Sequence, residues 1–294
     1  MLGPAQAGFD APMQWSVPAA VCRLGFRNDG RLTVQLAGAA PTGRFTLRRV
    51  HRSALADLVA WHSAAVVDGV EGSSGGGAVT ATEQFLHLVY EQVSVHLTDL
   101  VAGLPRVMLQ LDDEVLAQLP LETAHRPDRP ALFELTQCYR SWPGGGGGGG
   151  GAMPRRRRFR LEHRRGDERG LPAVALERAL VGNTTAPGSG ASLIHVAGHE
   201  PAATRAAARQ SDGQDHLVLS GCNSLPATLP PGVASVVGTL WPVEDHACVT
   251  VMAAYHRRLA VGVGPLEALR QTLLLHRPLP PDTWAAWAYL GQPN

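Results

Sequence analysis

The stretch DHLVLSGCNS, residues 215–224, decides the fold, because it joins a short apolar run to a small polar turn. An apolar run bounded by turn residues is typical of a strand buried on both faces of a parallel sheet. The turn that follows carries one thiol, Cys222. The stretch therefore predicts a buried strand, and it leaves two roles open for Cys222, a nucleophile or a small packing residue at a strand end.

The surrounding sequence repeats this pattern of short apolar runs separated by amphipathic segments. Helices are predicted for LPAVALERALVG, CVTVMAAYHRRLAVG and PLEALRQTLLLH, and further strands for ASLIHVAGHE, VASVVGTLWPVED and TWAAWAYLG. Strands that alternate with helices predict an α/β fold, in which helices cover a mostly parallel sheet.

Composition divides the chain into two parts. Residues 1–80 predict a small β/α extension of short strands and one helix, and the Gly/Ser-rich stretch 69–82 resembles a linker. Residues 81–294 then form the main domain. Within it, residues 143–169 combine a glycine run with an arginine run, which predicts a disordered insertion, because neither run can bury apolar surface.

Charge and cysteine usage restrict the functional class. The formal net charge is +1, and arginine supplies all 26 basic side chains, so an arginine cluster is no sign of nucleic-acid binding. Without a long apolar run, we expect no membrane partner. The four cysteines show no CxxC spacing, which indicates a reduced, cytoplasmic protein without a metal site, and no cofactor is expected.

Two consecutive predicted strands end in residues with catalytic chemistry. ASLIHVAGHE ends near His199, and DHLVLSGCNS ends near Cys222. Because carboxyl ends of neighbouring parallel strands meet at one edge of a sheet, both side chains are expected there. A histidine can favour the cysteine thiolate and later protonate a leaving amine. The alternative, two structural residues, stays open from the pattern alone.

Further motifs, in a fixed order, resemble those of one family. HVAGH and LVLSGCNS, together with LQLDDEVLAQLPLETA, GVASVVGTLWPVEDHA, PLEALRQTLL and TWAAWAYLG, resemble the CHAT domain, a caspase-like cysteine peptidase family of clan CD related to separase. The resemblance covers roughly residues 82–294 apart from the Gly/Arg insertion. It implies a caspase-like three-layer sandwich and hydrolysis of peptide bonds by a Cys/His dyad.

The resemblance also implies roles for individual residues. Cys222 would be the nucleophile and His199 the general acid/base. The backbone N–H groups of Cys222 and Glu200 would form the oxyanion hole.

Substrate-pocket candidates follow from the same motifs. Gly221 would let a substrate carbonyl approach, and the stretch from Trp241 to Asp245 resembles one that supplies an acidic residue for a basic P1 side chain. Glu244 or Asp245 could take that role, through a bidentate pair with arginine. Alternatively, both carboxylates cap a helix that starts near His246.

Departures from the family pattern support a second hypothesis. Glu200 stands where the family usually has glycine, and the segments on either side of Cys222 are short. The chain could thus be a catalytically impaired CHAT-like scaffold that acts as a protein-interaction module. Members of this family often carry helical repeats that present the substrate or receive an activating signal. Because this sequence has no such repeat, the resemblance implies two partners, a protein substrate and a helical-repeat regulatory protein.

Overall fold

The computed structural model describes residues 20–38, 43–71, 76–141, 160–165, 172–182, 192–198, 215–226, 229–230 and 233–291. Within these residues one sheet runs through the protein. Its strands are β1 (Ala20–Phe26), β2 (Arg31–Ala37), β3 (Gly43–His51), β4 (Arg106–Leu111), β5 (Gln137–Ser141), β6 (Arg160–Arg165), β7 (Ser192–Ala197), β8 (Asp215–Ser220), β9 (Val233–Thr239) and β10 (Trp287–Gly291).

The strand order is β3-β2-β1-β4-β5-β10-β9-β8-β7-β6. Six of the nine pairings between these strands are parallel, and the antiparallel ones join β1 to β2, β2 to β3 and β9 to β10. Strands β7, β8 and β9 are mutually parallel neighbours, so their carboxyl ends lie at the same edge of the sheet.

The helices connect these strands. They are α1 (Arg52–Glu71), α2 (Gly76–Val89), α3 (Val95–Val101), α4 (Glu114–Gln118), α5 (Leu132–Leu135), α6 (Pro172–Gly182), α7 (Asp245–Ala260), α8 (Pro265–His276) and α9 (Pro281–Trp284), and a π-helical turn (Tyr90–Ser94) separates α2 from α3. No helix among the described residues has the length and apolar character needed to cross a membrane.

Helices lie against both faces of the sheet. On one face, His216 of β8 contacts the hydroxyl of Tyr255 in α7 at 2.6 Å. On the other, Arg140 of β5 donates to the carbonyl of Ala117 in α4 at 2.5 Å. Strand β8 is buried on both faces, which explains its uninterrupted apolar run. The predicted α/β class, with a mostly parallel sheet covered by helices, is confirmed.

Two compositional interpretations need correction. Helix α2 begins at Gly76, inside the stretch interpreted as a linker, because its later apolar positions pack into the core and carry the helix past its glycines. The stretch Arg160–Arg165, inside the expected disordered insertion, forms strand β6. It pairs in parallel with β7, so backbone hydrogen bonds order it.

The N-terminal strands extend the same sheet as the rest of the chain. Strand β1 pairs in parallel with β4, and Cys22 and Leu24 of β1 belong to the same core cluster as Leu109 and Trp287. The domain boundary near residue 80 remains a prediction, but the segments on its two sides share one core.

Candidate active site

Cys222 lies in the turn that directly follows β8. The strand ends at Ser220, and the side chain of Cys222 is partly exposed, with its sulfur 3.9 Å from the carbonyl oxygen of Val243. The next residue, Asn223, has φ of 49°, in the left-handed region that asparagine tolerates better than most residues. This conformation reverses the chain within the turn and leaves Cys222 at the carboxyl edge of the sheet.

Ser224 fastens this turn to the sheet. Its buried hydroxyl donates to the carbonyl of Leu219 at 2.7 Å and accepts the backbone N–H of Thr239 at 3.0 Å. The hydroxyl of Thr239 donates to the carbonyl of Gly221. Both ends of the Cys222 turn are therefore held by β9. Ser224 was not indicated by the motifs, although it lies two residues after the candidate nucleophile.

Gly221 is in close contact with the end of the neighbouring strand. A Cβ atom built on Gly221 would lie 2.2 Å from the carbonyl oxygen of Gly198, so no larger residue fits without movement. The N–H of Gly198 donates to the carbonyl of Ser220 at 3.1 Å. The chains that leave β7 and β8 are thus in direct contact beside Cys222. The expected role of Gly221, to let a substrate carbonyl approach, remains a prediction.

The second member of the expected dyad lies outside the described residues, as does one expected oxyanion donor. These are His199 and Glu200. Gly198 is the last described residue before them. Their catalytic roles therefore remain predictions.

A cavity of about 40 Å³ adjoins Cys222. This is room for water molecules. Its lining residues come from α6, from the ends of β7 and β8 and from the start of α7; they are Val174, Glu177, Gly198, Ser220, Gly221, Cys222, Val243, Asp245 and Cys248.

Asp245 is the pocket candidate from the Trp241–Asp245 stretch that lines this cavity. It is the first residue of α7, and its Oδ2 accepts the backbone N–H of Ala173 in the first turn of α6 at 3.0 Å. The carboxylate therefore stabilises the start of a neighbouring helix, where unpaired N–H groups attract negative charge. Its role as a P1 selector remains a prediction.

The other two candidates of that stretch do not line the cavity. Trp241 is 3% exposed, and its ring packs edge-on against His62 and Phe85, with centroids 5.0 Å and 6.0 Å away. It is a core residue because its large apolar ring is buried against helices α1 and α2. Glu244 is exposed, and its carbonyl accepts the N–H of Cys248 at 3.1 Å.

The cavity is also lined by a carboxylate that the sequence motifs did not indicate. Glu177 of α6 is 1% exposed, and its Oε1 lies 2.8 Å from Nε2 of His195. Helical spacing could have revealed it, because Glu177 lies three residues after Val174 and four before Val181, on a buried face.

A second thiol, Cys248 of α7, lines the same cavity. Burial raises its pKa well above the usual range, and the nearby carboxylate of Glu177 raises that pKa further. Since the thiolate is the reactive form, Cys248 is a poor nucleophile at neutral pH.

Part of the chain matches a known protein family. Residues 203–292 match the family model of the CHAT domain. The resemblance inferred from the motifs is thereby confirmed for this part of the chain. Comparison with curated protein sequences finds no match.

Solved structures that resemble this chain share little sequence identity with it. The Arg-specific cysteine proteinase gingipain R is 11% identical with a TM-score of 0.37, and the match covers 81% of this chain and 73% of that one. The complex of the Porphyromonas gingivalis RgpB pro- and mature domains is 10% identical with a TM-score of 0.34, and the match covers 82% of this chain and 76% of that one. At TM-scores this low, neither likeness supports a conclusion about activity.

Proposed function

Starting from the CHAT domain match over residues 203–292, we propose that this chain is a cysteine-type endopeptidase that hydrolyses peptide bonds of a protein substrate through Cys222 and His199. The observation that carries the proposal is the position of Cys222. It follows β8 at the carboxyl edge of the sheet, beside the end of β7, and β7 leads within two residues to His199. Ligand sites in open α/β sheets lie at this edge.

In the proposed reaction, His199 takes the proton from the thiol of Cys222, and the thiolate attacks the substrate carbonyl. The backbone N–H groups of Cys222 and Glu200 stabilise the negative oxygen that forms. When the C–N bond breaks, His199 gives its proton to the leaving amine. Water then hydrolyses the thioester and regenerates the thiol.

The environment of the four thiols supports Cys222 as the nucleophile. Cys222 is partly exposed, whereas the others are buried. Burial raises the pKa of Cys22 to about 12 and that of Cys138 and Cys248 well above the usual range. Cys222 is therefore the thiol that a substrate carbonyl can reach.

The proposal is tested by labelling with an irreversible, thiol-reactive peptide ketone. We expect wild type to be modified at Cys222 and the His199→Ala variant to react much more slowly, because the base is lost. His246→Ala, which removes an exposed histidine of α7, is the matched control and should react like wild type. Equal labelling of His199→Ala and wild type would contradict the dyad and favour the scaffold hypothesis.

We further propose that Asp245 favours arginine at P1. A carboxylate accepts several hydrogen bonds, so its bond to Ala173 leaves capacity for a guanidinium. Asp245→Asn keeps an acceptor for Ala173 but removes the charge, so the preference for Arg-ended reporters should disappear. Glu244→Gln, at the exposed neighbour, is the control, and an unchanged preference in Asp245→Asn would leave Asp245 a helix-capping role only.

A further inference from the structure

Three buried titratable side chains lie one after another next to the cavity that Cys222 lines. Glu177, His195 and His256 are 1%, 2% and 0% exposed. Oε1 of Glu177 lies 2.8 Å from Nε2 of His195, and Nδ1 of His195 lies 3.0 Å from Nε2 of His256. These contacts join α6, β7 and α7, and the end of β8 lines the cavity beside them.

The Glu177–His195 contact has the distance of an ion pair, although the ring N–H is not aligned for a hydrogen bond. A buried carboxylate needs a partner, because burial without one is costly. His195 is that partner, and the two side chains are in contact where solvent does not reach them. The other ring nitrogen of His195, Nδ1, lies within hydrogen-bond distance of Nε2 of His256, so the second histidine extends the series of contacts.

The Glu177–His195–His256 series is close to the candidate site in two places. Glu177 lines the same cavity of about 40 Å³ as Cys222, so the carboxylate and the thiol adjoin one small space. His195 lies on β7, four residues before His199, and the residue between β7 and His199, Gly198, contacts the Cys222 turn. His195 and the contact between Gly198 and Gly221 are therefore separated by only a few residues of one strand.

We infer that Glu177 is a positioning residue of this site. Its ion pair with His195 holds the strand that leads to His199 against α6, and its charge, balanced by His195, sets the electrostatic environment of Cys222. The inference rests on the proposed peptidase function. It gives a role to Glu177 and His195, two residues to which neither the motifs nor the CHAT match assigns one.

Other titratable groups face the same cavity and must be kept constant in a test. Asp245 and Cys248 of α7 line it together with Glu177 and Cys222. Since Asp245 also holds the first turn of α6 through Ala173, the helix keeps one attachment when Glu177 is changed. This makes isosteric variants of Glu177 suitable for measurement in the full chain.

The test is the pH dependence of Cys222 alkylation by iodoacetamide, which needs no peptide recognition. Glu177→Gln removes a negative charge beside the cavity, so the alkylation midpoint should move to lower pH by about half to one unit. His195→Gln leaves the carboxylate uncompensated, so the midpoint should move to higher pH. The double variant is again neutral, and its midpoint should return towards that of wild type.

The opposite signs distinguish this role from a purely structural one, which would lower stability without moving the midpoint in a charge-dependent way. Glu122→Gln is the matched control, because Glu122 is also a buried carboxylate, paired with Arg140 at 2.5 Å, but does not line the cavity. It should lose stability with an unchanged midpoint. Glu177→Asp, which keeps the charge, should stay close to wild type.

Midpoints in Glu177→Gln and His195→Gln that coincide with wild type, or that move in the same direction, would overturn the inference. If a single variant fails to fold while the double variant folds, the ion pair is still supported. If the double variant unfolds too, Glu177→Asp decides, since a midpoint displaced from wild type despite the retained charge would refute the role. Failure of the peptidase proposal is seen separately, in the His199→Ala labelling.

Discussion

Gly221→Ala is the substitution for which the structure predicts the clearest effect. The added Cβ would lie 2.2 Å from the carbonyl oxygen of Gly198, about 1.2 Å short of ordinary contact. The oxygen belongs to the backbone, and the backbone also fixes the position of the Cβ, so neither atom can move aside as the end of a flexible side chain would. Overpacking of this kind costs about 1–3 kcal/mol. We expect the free energy of unfolding, measured with urea, to fall by that amount.

The same substitution should also affect reactivity. Because the displaced Gly198 directly precedes His199, a shift of about 1 Å should slow peptide-ketone labelling of Cys222 by up to about 100-fold. Gly43→Ala is the matched control, since a Cβ there meets nothing within 4 Å. If Gly221→Ala has the same free energy of unfolding and the same labelling rate as Gly43→Ala, the close contact between the two strand ends does not constrain the site.

Three further predictions concern the thiols, the turn and pH. Iodoacetamide at pH 8 should alkylate Cys222 long before the three buried thiols, and peptide mass spectrometry that finds equal rates would contradict their burial. Ser224→Ala leaves the backbone groups of Leu219 and Thr239 without their hydroxyl partner, so urea unfolding should show a loss of about 2–4 kcal/mol. Burial lowers the pKa of His216 to about 3, so the unfolded chain takes up the proton first as pH falls below about 6.5. Stability should therefore fall by about 1.4 kcal/mol per pH unit down to about pH 3, and a slope unchanged in His216→Asn would refute this.

The sequence predicted the strands and helices around the site well, because their apolar runs are short and strongly patterned. Strands β7, β8 and β9 and helices α6, α7 and α8 lie where the pattern indicated. Composition was less reliable. Glycines at 76 and 77 indicated a linker but lie in α2, and arginines at 160–165 indicated disorder but form β6. In both cases neighbouring structure overrides local preference.

The candidate site shows the same division. Motif order placed Cys222 directly after a strand, and the structure has it directly after β8. The CHAT match over residues 203–292 includes this position, but the role of Cys222 stays a prediction. The motif resemblance also included Trp241 among the pocket candidates, although its ring is buried against His62 and Phe85. A one-dimensional pattern places a residue near a strand end, but it does not tell which way a side chain points once the chain has turned.

By itself, the sequence determined the α/β class, the succession of strands and helices and the candidate nucleophile, because these depend on local periodicity and on motifs a few residues long. Only the tertiary structure decided that β1 to β3 extend the same sheet and that residue 221 must be glycine, because the carbonyl of Gly198 leaves no room for a Cβ. It also decided that Glu177 and Asp245 line the cavity beside Cys222 and that Glu177 contacts His195. The physical reason is that these contacts join residues far apart in sequence, and distance, burial and charge pairing exist only after the chain has folded.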